Sequence, residues 1–97
     1  MVKIRVPMPR VRVCSMVWEE VTGFNWFASV VTARRVPIPS LIGTQRSVVV
    51  KGLVKRDRRR ILVVSIRGKN YIRDGHHRVT RAIMRGQKTI GAYVVTL

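Results

Sequence analysis

Residues 71–97 constrain the fold most, because they join a strand-like segment, a glycine turn, a helical pattern and a closing strand-like segment. Residues 74–78 read Asp-Gly-His-His-Arg, and the helical pattern that follows ends at Gly86, a residue typical of helix stops. Residues 89–97 are rich in β-branched side chains, which favours a strand. The order strand, glycine, helix, strand predicts an α/β unit in which the helix packs on a sheet.

The predicted helix has one apolar and one basic face. Its apolar residues recur at i, i+3 and i+4, the spacing of neighbours on a helix surface. These are Val79, Ala82 and Ile83, whereas Arg78, Arg81 and Arg85 fall on the other face.

The start of this helix predicts a phosphate site. Backbone N–H groups at a helix N-terminus and the helix dipole both favour an anion, and the Arg78 guanidinium can form two parallel hydrogen bonds to one. A simpler interpretation is that Asp74 caps the helix and that His76 and His77 are solvated in its first turn. The spacing alone does not choose between the two.

Residues 61–72 predict a β-hairpin that leads into this motif. Residues 61–66 form a β-branched run too short for a helix, and residues 67–70 read Arg-Gly-Lys-Asn, which is turn chemistry. Tyr71 and Ile72 then begin the strand before Asp74.

This arrangement resembles the signature of the ParB/sulfiredoxin-like superfamily, which includes partition-protein N-terminal domains, sulfiredoxins, archaeal free-serine kinases and some small DNA nucleases. Residues 35–42, a strand followed by a proline-containing loop, are similar to the family's opening and extend the likeness to residues 34–97. The resemblance implies a small α+β fold with a mixed sheet and a helix N-terminus that holds nucleotide phosphates. The positions that carry over are Gly75, His76, His77 and Arg78.

Departures from the family pattern narrow the choice among the members of this superfamily. Sulfiredoxins have their catalytic cysteine where this chain has His76, and Cys14 lies elsewhere, so sulfinic acid reduction is not expected. Partition proteins carry Gly-Glu-Arg-Arg at this place and continue into a helix-turn-helix and a dimerisation region, so a complete partition protein is not expected. The serine kinases share the aspartate, but residues 39–51 lack the second carboxylate that those enzymes use.

Charge predicts a polyanionic partner. Lys and Arg number 20 against four acids, giving a net charge of +16. Residues 1–33 hold four basic and two acidic residues (+2), and residues 34–97 hold sixteen and two (+14). Such a field favours nucleic acid, whereas charge that only aids solubility or heat tolerance usually comes with comparable numbers of acids. We expect DNA rather than RNA as the partner and a larger nucleoprotein complex as the context, although composition alone does not separate DNA from RNA.

The densest basic run lies within residues 51–60, where like charges favour a loop or the start of a strand. Together with two arginines of the predicted helix it forms the expected nucleic-acid-binding set. This set consists of Lys51, Lys55, Arg56, Arg58, Arg59, Arg60, Arg81 and Arg85.

Residues 1–33 predict a divergent N-terminal part with short strands and one helix. Residues 2–6 and 10–13 alternate in strand fashion, Ser15 can cap a helix that ends at Gly23, and residues 24–32 suggest an aromatic strand. We expect the large aromatic side chains of this part, Trp18, Phe24, Trp26 and Phe27, to anchor the core rather than to bind bases.

The sequence offers only a few candidate residues for catalysis. Adjacent histidines diverge by about 100 degrees on a helix, so no protein-built metal site is expected. A Mg²⁺ ion shared between Asp74 and a bound phosphate is the favoured metal arrangement, with ATP or CTP as candidate nucleotides. In a nuclease, Asp74, His76 and His77 would be the catalytic candidates, one histidine acting as general base while Arg78 stabilises the phosphorane.

Length and composition complete the prediction of a single domain over residues 1–97. One cysteine excludes an internal disulfide and fits a cytoplasmic protein, and no apolar run approaches the roughly 20 residues of a membrane helix. The pI of about 12.0 suits a thermophilic microbe or one of its viruses. A strand edge near either terminus can pair with a second copy to form a homodimer. We therefore expect a nucleic-acid-binding module of ParB-like fold, with a metal-dependent nuclease or a nucleotide-dependent phosphotransferase as the alternative.

Overall fold

A computed structural model describes residues 2–10, 16–23, 30–53 and 58–97, with no side-chain description for residues 16–18. Within these ranges the chain forms seven strands, three α-helices and one 3-10 turn. The strands are β1 Lys3–Arg5, β2 Val30–Pro37, β3 Leu41–Ile42, β4 Ser47–Val49, β5 Ile61–Ile66, β6 Lys69–Asp74 and β7 Thr89–Thr96. The helices are α1 Met16–Gly23, α2 Val50–Leu53 and α3 His76–Met84, and the 3-10 turn is Ile38–Ser40.

Five strands form one mixed sheet in the order β2-β7-β5-β6-β3. The β2/β7 and β5/β6 pairs are antiparallel, whereas β7/β5 and β6/β3 are parallel. Parallel strands need a crossover connection, and helix α3, which joins β6 to β7, provides it for the parallel pair β5 and β7. The expectation of a small α+β fold with a mixed sheet is confirmed.

The β5–β6 hairpin forms as the sequence predicts, with a two-residue turn. Arg67 and Gly68 have φ of 51° and 79°, the left-handed pair typical of a tight hairpin turn. Strand β6 begins at Lys69, two residues earlier than expected. The hairpin delivers Asp74 and Gly75 to the start of α3.

Helix α3 covers one face of the sheet. Val79 and Ala82 are buried there and Ile83 is half-buried, which confirms the predicted apolar face. This main core joins α3 to strands β2, β5, β6 and β7 and to the N-terminal segment. Its buried residues are Val6, Met8, Val36, Ile38, Leu41, Val48, Ile61, Val63, Ile72, Val79, Ala82, Ala92 and Val94.

A smaller core lies on the opposite face, under α1. Val21 of this helix packs with Val64, Ile66 and Tyr71, all of them buried. Tyr71 is therefore a core residue. An ion pair between Arg67 and Glu20 (3.1 Å) also joins the hairpin to α1 at the surface.

Helix α3 ends as predicted. Its last residue is Met84, and Gly86 follows with φ of 72° while its N–H donates to Ile83 O at 3.0 Å. The left-handed residue beyond the helix satisfies a terminal carbonyl, the usual role of glycine there.

The N-terminal part is partly as predicted. Residues 3–5 form a strand that pairs with β4, and a helix spans Met16–Gly23. Val30 to Thr32 belong to β2. Of the expected strand at 10–13 only Arg10 is described, and it forms a β-bridge with Gly43. The Ser15 cap, the Trp18 side chain and the aromatic residues at 24–27 lie outside the described residues. None of the helices within the described ranges is long and apolar enough to cross a membrane.

Candidate nucleic-acid interface and phosphate site

Gly75 lets helix α3 begin directly against strand β5. Its φ of 115° lies in the region that disfavours L side chains, and a Cβ added there would fall 2.5 Å from Ile61 Cγ2 and 3.3 Å from Ile61 Cα. Both the backbone conformation and the close approach to Ile61 therefore require glycine.

The start of α3 presents backbone donors. Its first intrahelical hydrogen bond runs from Val79 N–H to Gly75 O at 3.0 Å, so the helix itself offers no acceptor to the N–H groups of His76, His77 and Arg78. Gly75 is the N-cap residue and supplies no side-chain cap. The positive end of the helix dipole and these amide groups together favour an anion at this point.

His76 is part of the framework of this site. Its residue exposure is 5%, and its Nε2 accepts the backbone N–H of Thr44 at 2.9 Å. Burial lowers the pKa of the imidazole from 6.5 to about 4, against the opposite effect of the Asp74 carboxylate. The ring is therefore neutral at pH 7 with its proton on Nδ1, and the interpretation of a solvated His76 is wrong.

His77 lies half-buried against helix α2. A Cβ added at Gly52 would fall 2.5 Å from His77 Cδ2 and 2.7 Å from its Nε2, so the ring rests on the bare Gly52 backbone. The short helix α2 thus sets the position of this imidazole at the edge of the cleft.

Arg78 binds the chain that precedes β5. Its guanidinium donates from Nη1 to the carbonyl oxygens of Arg59 (3.2 Å) and Arg60 (2.8 Å), and from Nη2 to Asp74 Oδ2 (3.3 Å). The Arg78 side chain is only 11% exposed, while that of Asp74 is 74% exposed. Arg78 therefore holds residues 59 and 60 beside the helix. Asp74 pairs with Arg78 instead of capping the helix, so the capping interpretation is wrong.

Arg81 differs from its predicted place on an exposed face. Its residue exposure is 7%, whereas Arg85, one turn later, is exposed. Arg81 lines two neighbouring cavities that Arg59 also lines. The basic side of α3 is thus partly an interior surface.

A cleft of about 280 Å³ opens at the helix start. It brings together Asp74, Gly75, His76, His77 and Arg78, the residues of the sequence motif. The rest of its lining consists of Gln45, Gly52, Arg59, Arg73 and Arg81. The structure therefore unites the predicted phosphate-binding positions in one cavity.

A second cleft of about 600 Å³ lies beside the first, and we call it the arginine cleft. Its lining contains seven arginines and no Asp or Glu among the described residues. The two clefts share Arg59, Arg78 and Arg81. The seven are Arg35, Arg58, Arg59, Arg60, Arg78, Arg81 and Arg85.

The structure places only some of the predicted nucleic-acid-binding residues in the arginine cleft. Five of them line the arginine cleft, and Arg35, a residue of β2, joins them although sequence proximity gave no sign of it. Lys51 lies in helix α2, not in the expected loop or strand start, and lines neither cleft. Lys55 and Arg56 lie outside the described residues.

Tyr93 is a neighbouring feature that the sequence pattern did not single out. It lies on β7 with 48% exposure, and the Arg60 guanidinium carbon is 5.8 Å from its ring centroid. A third cleft, of about 330 Å³, is lined by Tyr93 with Arg59, Arg60, Asp74 and Arg78. An exposed tyrosine within a β-branched strand gives no sequence signal of its own, because the same pattern is typical of a core position.

The sequence matches no known protein-family model, and it has no significant match among curated proteins.

Proposed function

We propose that this protein binds nucleic acid through the arginine cleft and holds one phosphate group at the start of helix α3. The observation that carries this proposal is the lining of the cleft, with seven arginines and no acid among its described residues. Surface charge that serves only solubility is usually mixed in sign. Concentrated guanidinium groups in one concave surface are instead suited to phosphates, which they bind in bidentate fashion.

The connection between the two clefts favours a polymer over a single small anion. Arg59, Arg78 and Arg81 line both cavities, so the basic surface continues from the arginine cleft to the amide groups at Gly75. A nucleic-acid backbone can place one phosphate at the helix start and its neighbours along the arginines. Phosphate contacts of this kind bind without sequence preference.

The fold we propose for the chain is ParB/sulfiredoxin-like. The support comes from the order β6, Gly75, α3, β7 and from the crossing of α3 between the parallel strands β5 and β7. The proposal carries DNA as the favoured partner and a larger nucleoprotein complex as the context.

The helix-start cleft fits phosphate groups better than a whole nucleotide. Backbone amides, arginines and the neutral His76 line it, and no aromatic ring other than the two imidazoles is among its described lining residues. The phosphates of ATP or CTP would meet the amides of residues 76–78, and Mg²⁺ would use Asp74 with phosphate oxygens. Among the described residues no three His, Cys, Asp or Glu side chains form a metal-binding group, so the phosphates would have to complete the shell.

Salt dependence of binding tests the main proposal. We would measure the affinity of the full chain for labelled duplex DNA and single-stranded DNA between 50 and 200 mM salt by fluorescence anisotropy. The logarithm of the affinity should fall linearly with the logarithm of salt, by about 0.9 per phosphate contact in duplex and about 0.7 in a single strand. The double variant Arg58→Gln/Arg85→Gln should lower this slope by between about 1.4 and about 1.8.

The matched control removes the same charge elsewhere. Lys3 and Lys69 are exposed and line none of the three clefts, so Lys3→Gln/Lys69→Gln has the same net charge as the test variant. It should retain most of the wild-type slope. Equal losses in both double variants would mean that binding follows net charge and not the arginine cleft, and no salt-sensitive binding would overturn the proposal.

A metal-dependent nuclease or nucleotide-dependent phosphotransferase is the second candidate. It is favoured by Asp74 and His77, which both line the helix-start cleft. The Nε2 atom of His76 is occupied by Thr44 N–H, which leaves His77 as the accessible general base. Cleavage or phosphoryl transfer that needs Mg²⁺ and disappears in Asp74→Asn and His77→Gln, with unchanged circular dichroism, would establish this function.

A further inference from the structure

We infer that Tyr93 stacks on an unpaired base of a single nucleic-acid strand whose phosphates lie in the arginine cleft. The inference rests on the proposed function and adds to it a preference for single strands. It follows from the exposure of the ring, its basic surroundings and the three arginines that line both its cavity and the arginine cleft.

Tyr93 occupies an open part of the sheet. Strand β7 has a neighbour on each side, and Tyr93 pairs with Ala33 of β2 and with Leu62 of β5. Its neighbours in the chain, Ala92 and Val94, are buried in the main core under α3, so the Tyr93 ring projects from the opposite face. A large aromatic side chain with 48% exposure contributes little to either core.

The other described tyrosine shows the contrast. Tyr71 is 5% exposed and packs with Val21 and Ile66, which accounts for its presence. Burial of this kind does not account for Tyr93. A flat ring that stays half in water is suited to a planar ligand.

The charges around Tyr93 favour a nucleotide as that ligand. Arg60 lies over the ring with its guanidinium carbon 5.8 Å from the centroid, at the outer limit of a cation–π contact, and Tyr93 is still 48% exposed. Arg59 and Arg78 line the same cavity, and Asp74, the one acid among its described lining residues, is paired with Arg78 at 3.3 Å. A base on the ring would therefore have guanidinium groups beside its phosphates.

Shared arginines relate Tyr93 to the arginine cleft. Arg59, Arg60 and Arg78 line both that cleft and the cavity at Tyr93. Gly91 of β7 also lies beside Arg60, because a Cβ added there would make ordinary van der Waals contact with Arg60 Nη1 at 3.5 Å. A strand with a phosphate near Arg60 can thus place a base on Tyr93. Bases in a duplex are already stacked on one another, so only a single strand offers a free face.

The test compares a single-stranded DNA oligonucleotide with an abasic strand of equal length, which keeps the phosphates and lacks the bases. Anisotropy titrations at fixed salt use the wild type, Tyr93→Ala and Tyr93→Phe. The wild type should bind the strand with bases about five- to tenfold more tightly than the abasic strand, as expected for one stacked base. Tyr93→Ala should lose this difference and Tyr93→Phe should keep it.

The outcomes separate this inference from the proposed function. Equal wild-type affinity for both strands, or a Tyr93→Ala variant that still prefers bases, would overturn the stacking role while leaving phosphate binding intact. Absence of salt-sensitive binding to either strand would instead overturn the proposed function itself. The abasic strand also checks the fold of Tyr93→Ala, because this variant should bind it with wild-type affinity.

Discussion

The Nε2 atom of His76 accepts a hydrogen bond from the backbone N–H of Thr44 at 2.9 Å, and this bond ties the start of α3 to the loop between β3 and β4. The Thr44 hydroxyl in turn donates to Ile72 O in β6. An N–H donor requires a ring nitrogen without a proton, and the second ring nitrogen then carries it. The helix start is thus built around a neutral imidazole.

This bond predicts that acid destabilises the protein through His76. The folded pKa of about 4 lies below the usual 6.5, so the unfolded chain takes up a proton more readily. The associated stability is present above pH 6.5 and is lost as the pH falls through about 4. The loss between pH 7 and 4 should approach roughly 3 kcal/mol, and urea unfolding across this range measures it.

The variant His76→Gln isolates that contribution. Its side-chain oxygen can accept the Thr44 N–H, but the side chain does not titrate. The free energy of unfolding of the variant should vary less with pH than that of the wild type, because the protonation of His76 no longer contributes to it. Parallel curves for the two proteins would show that His76 does not take up a proton on acid unfolding.

Replacement of Gly75 by alanine should strongly destabilise the fold. The new Cβ would meet Ile61 Cγ2 at 2.5 Å in a backbone conformation that alanine avoids, so the helix would have to move away from β5. We expect a loss of about 2 to 5 kcal/mol in the free energy of unfolding. Gly68→Ala is the control, since φ is also positive there but no atom lies within 4 Å of the added Cβ. It should cost only about 1 kcal/mol, and equal losses would mean that contact with Ile61 is unimportant.

Gly52→Ala should displace the His77 ring with little cost in stability. The added Cβ would lie 2.5 Å from His77 Cδ2, but this side chain is half-buried and can rotate. We expect the stability to stay within about 1 kcal/mol of wild type, because alanine also favours the helix. Large shifts of the His77 ring resonances by NMR should report the movement, with Gly23→Ala as the control because its Cβ meets nothing within 4 Å. Unchanged His77 resonances would contradict the contact.

The hairpin and helix α3 could be predicted because their signals are local. The Arg67-Gly68 turn needs positive φ, and Val79, Ala82 and Ile83 define a helix face that the structure buries. The strand order could not be predicted from the sequence, since the pairing of β7 with both β5 and β2 depends on contacts between residues far apart in the chain. Helix α2 was missed, because its four residues are too few for a periodic pattern.

The sequence predicted where the site lies, but not what each of its side chains does. Residues 74–78 do meet at one helix start, but the role of each side chain depends on its burial. A helical pattern does not show which segments of the chain pack against the basic face of the helix. Arg81 is buried, while Arg78 contacts the backbone of residues 59 and 60. Arg35 joins the cleft through the pairing of β2 with β7, and its guanidinium donates to Thr89 in that strand.

The contacts of Arg78 predict that its shape matters as much as its charge. The guanidinium donates to two carbonyl oxygens and one carboxylate at once, a geometry that the single ammonium of lysine does not reproduce. Arg78→Lys should therefore lower the free energy of unfolding by about 1 to 3 kcal/mol although the net charge is unchanged. Arg85→Lys, at an exposed position on the same helix, should change it by less than about 0.5 kcal/mol. Urea unfolding of the two variants at pH 7 makes the comparison, and equal stability would mean that the contacts with residues 59 and 60 do not hold the wall of the arginine cleft in place.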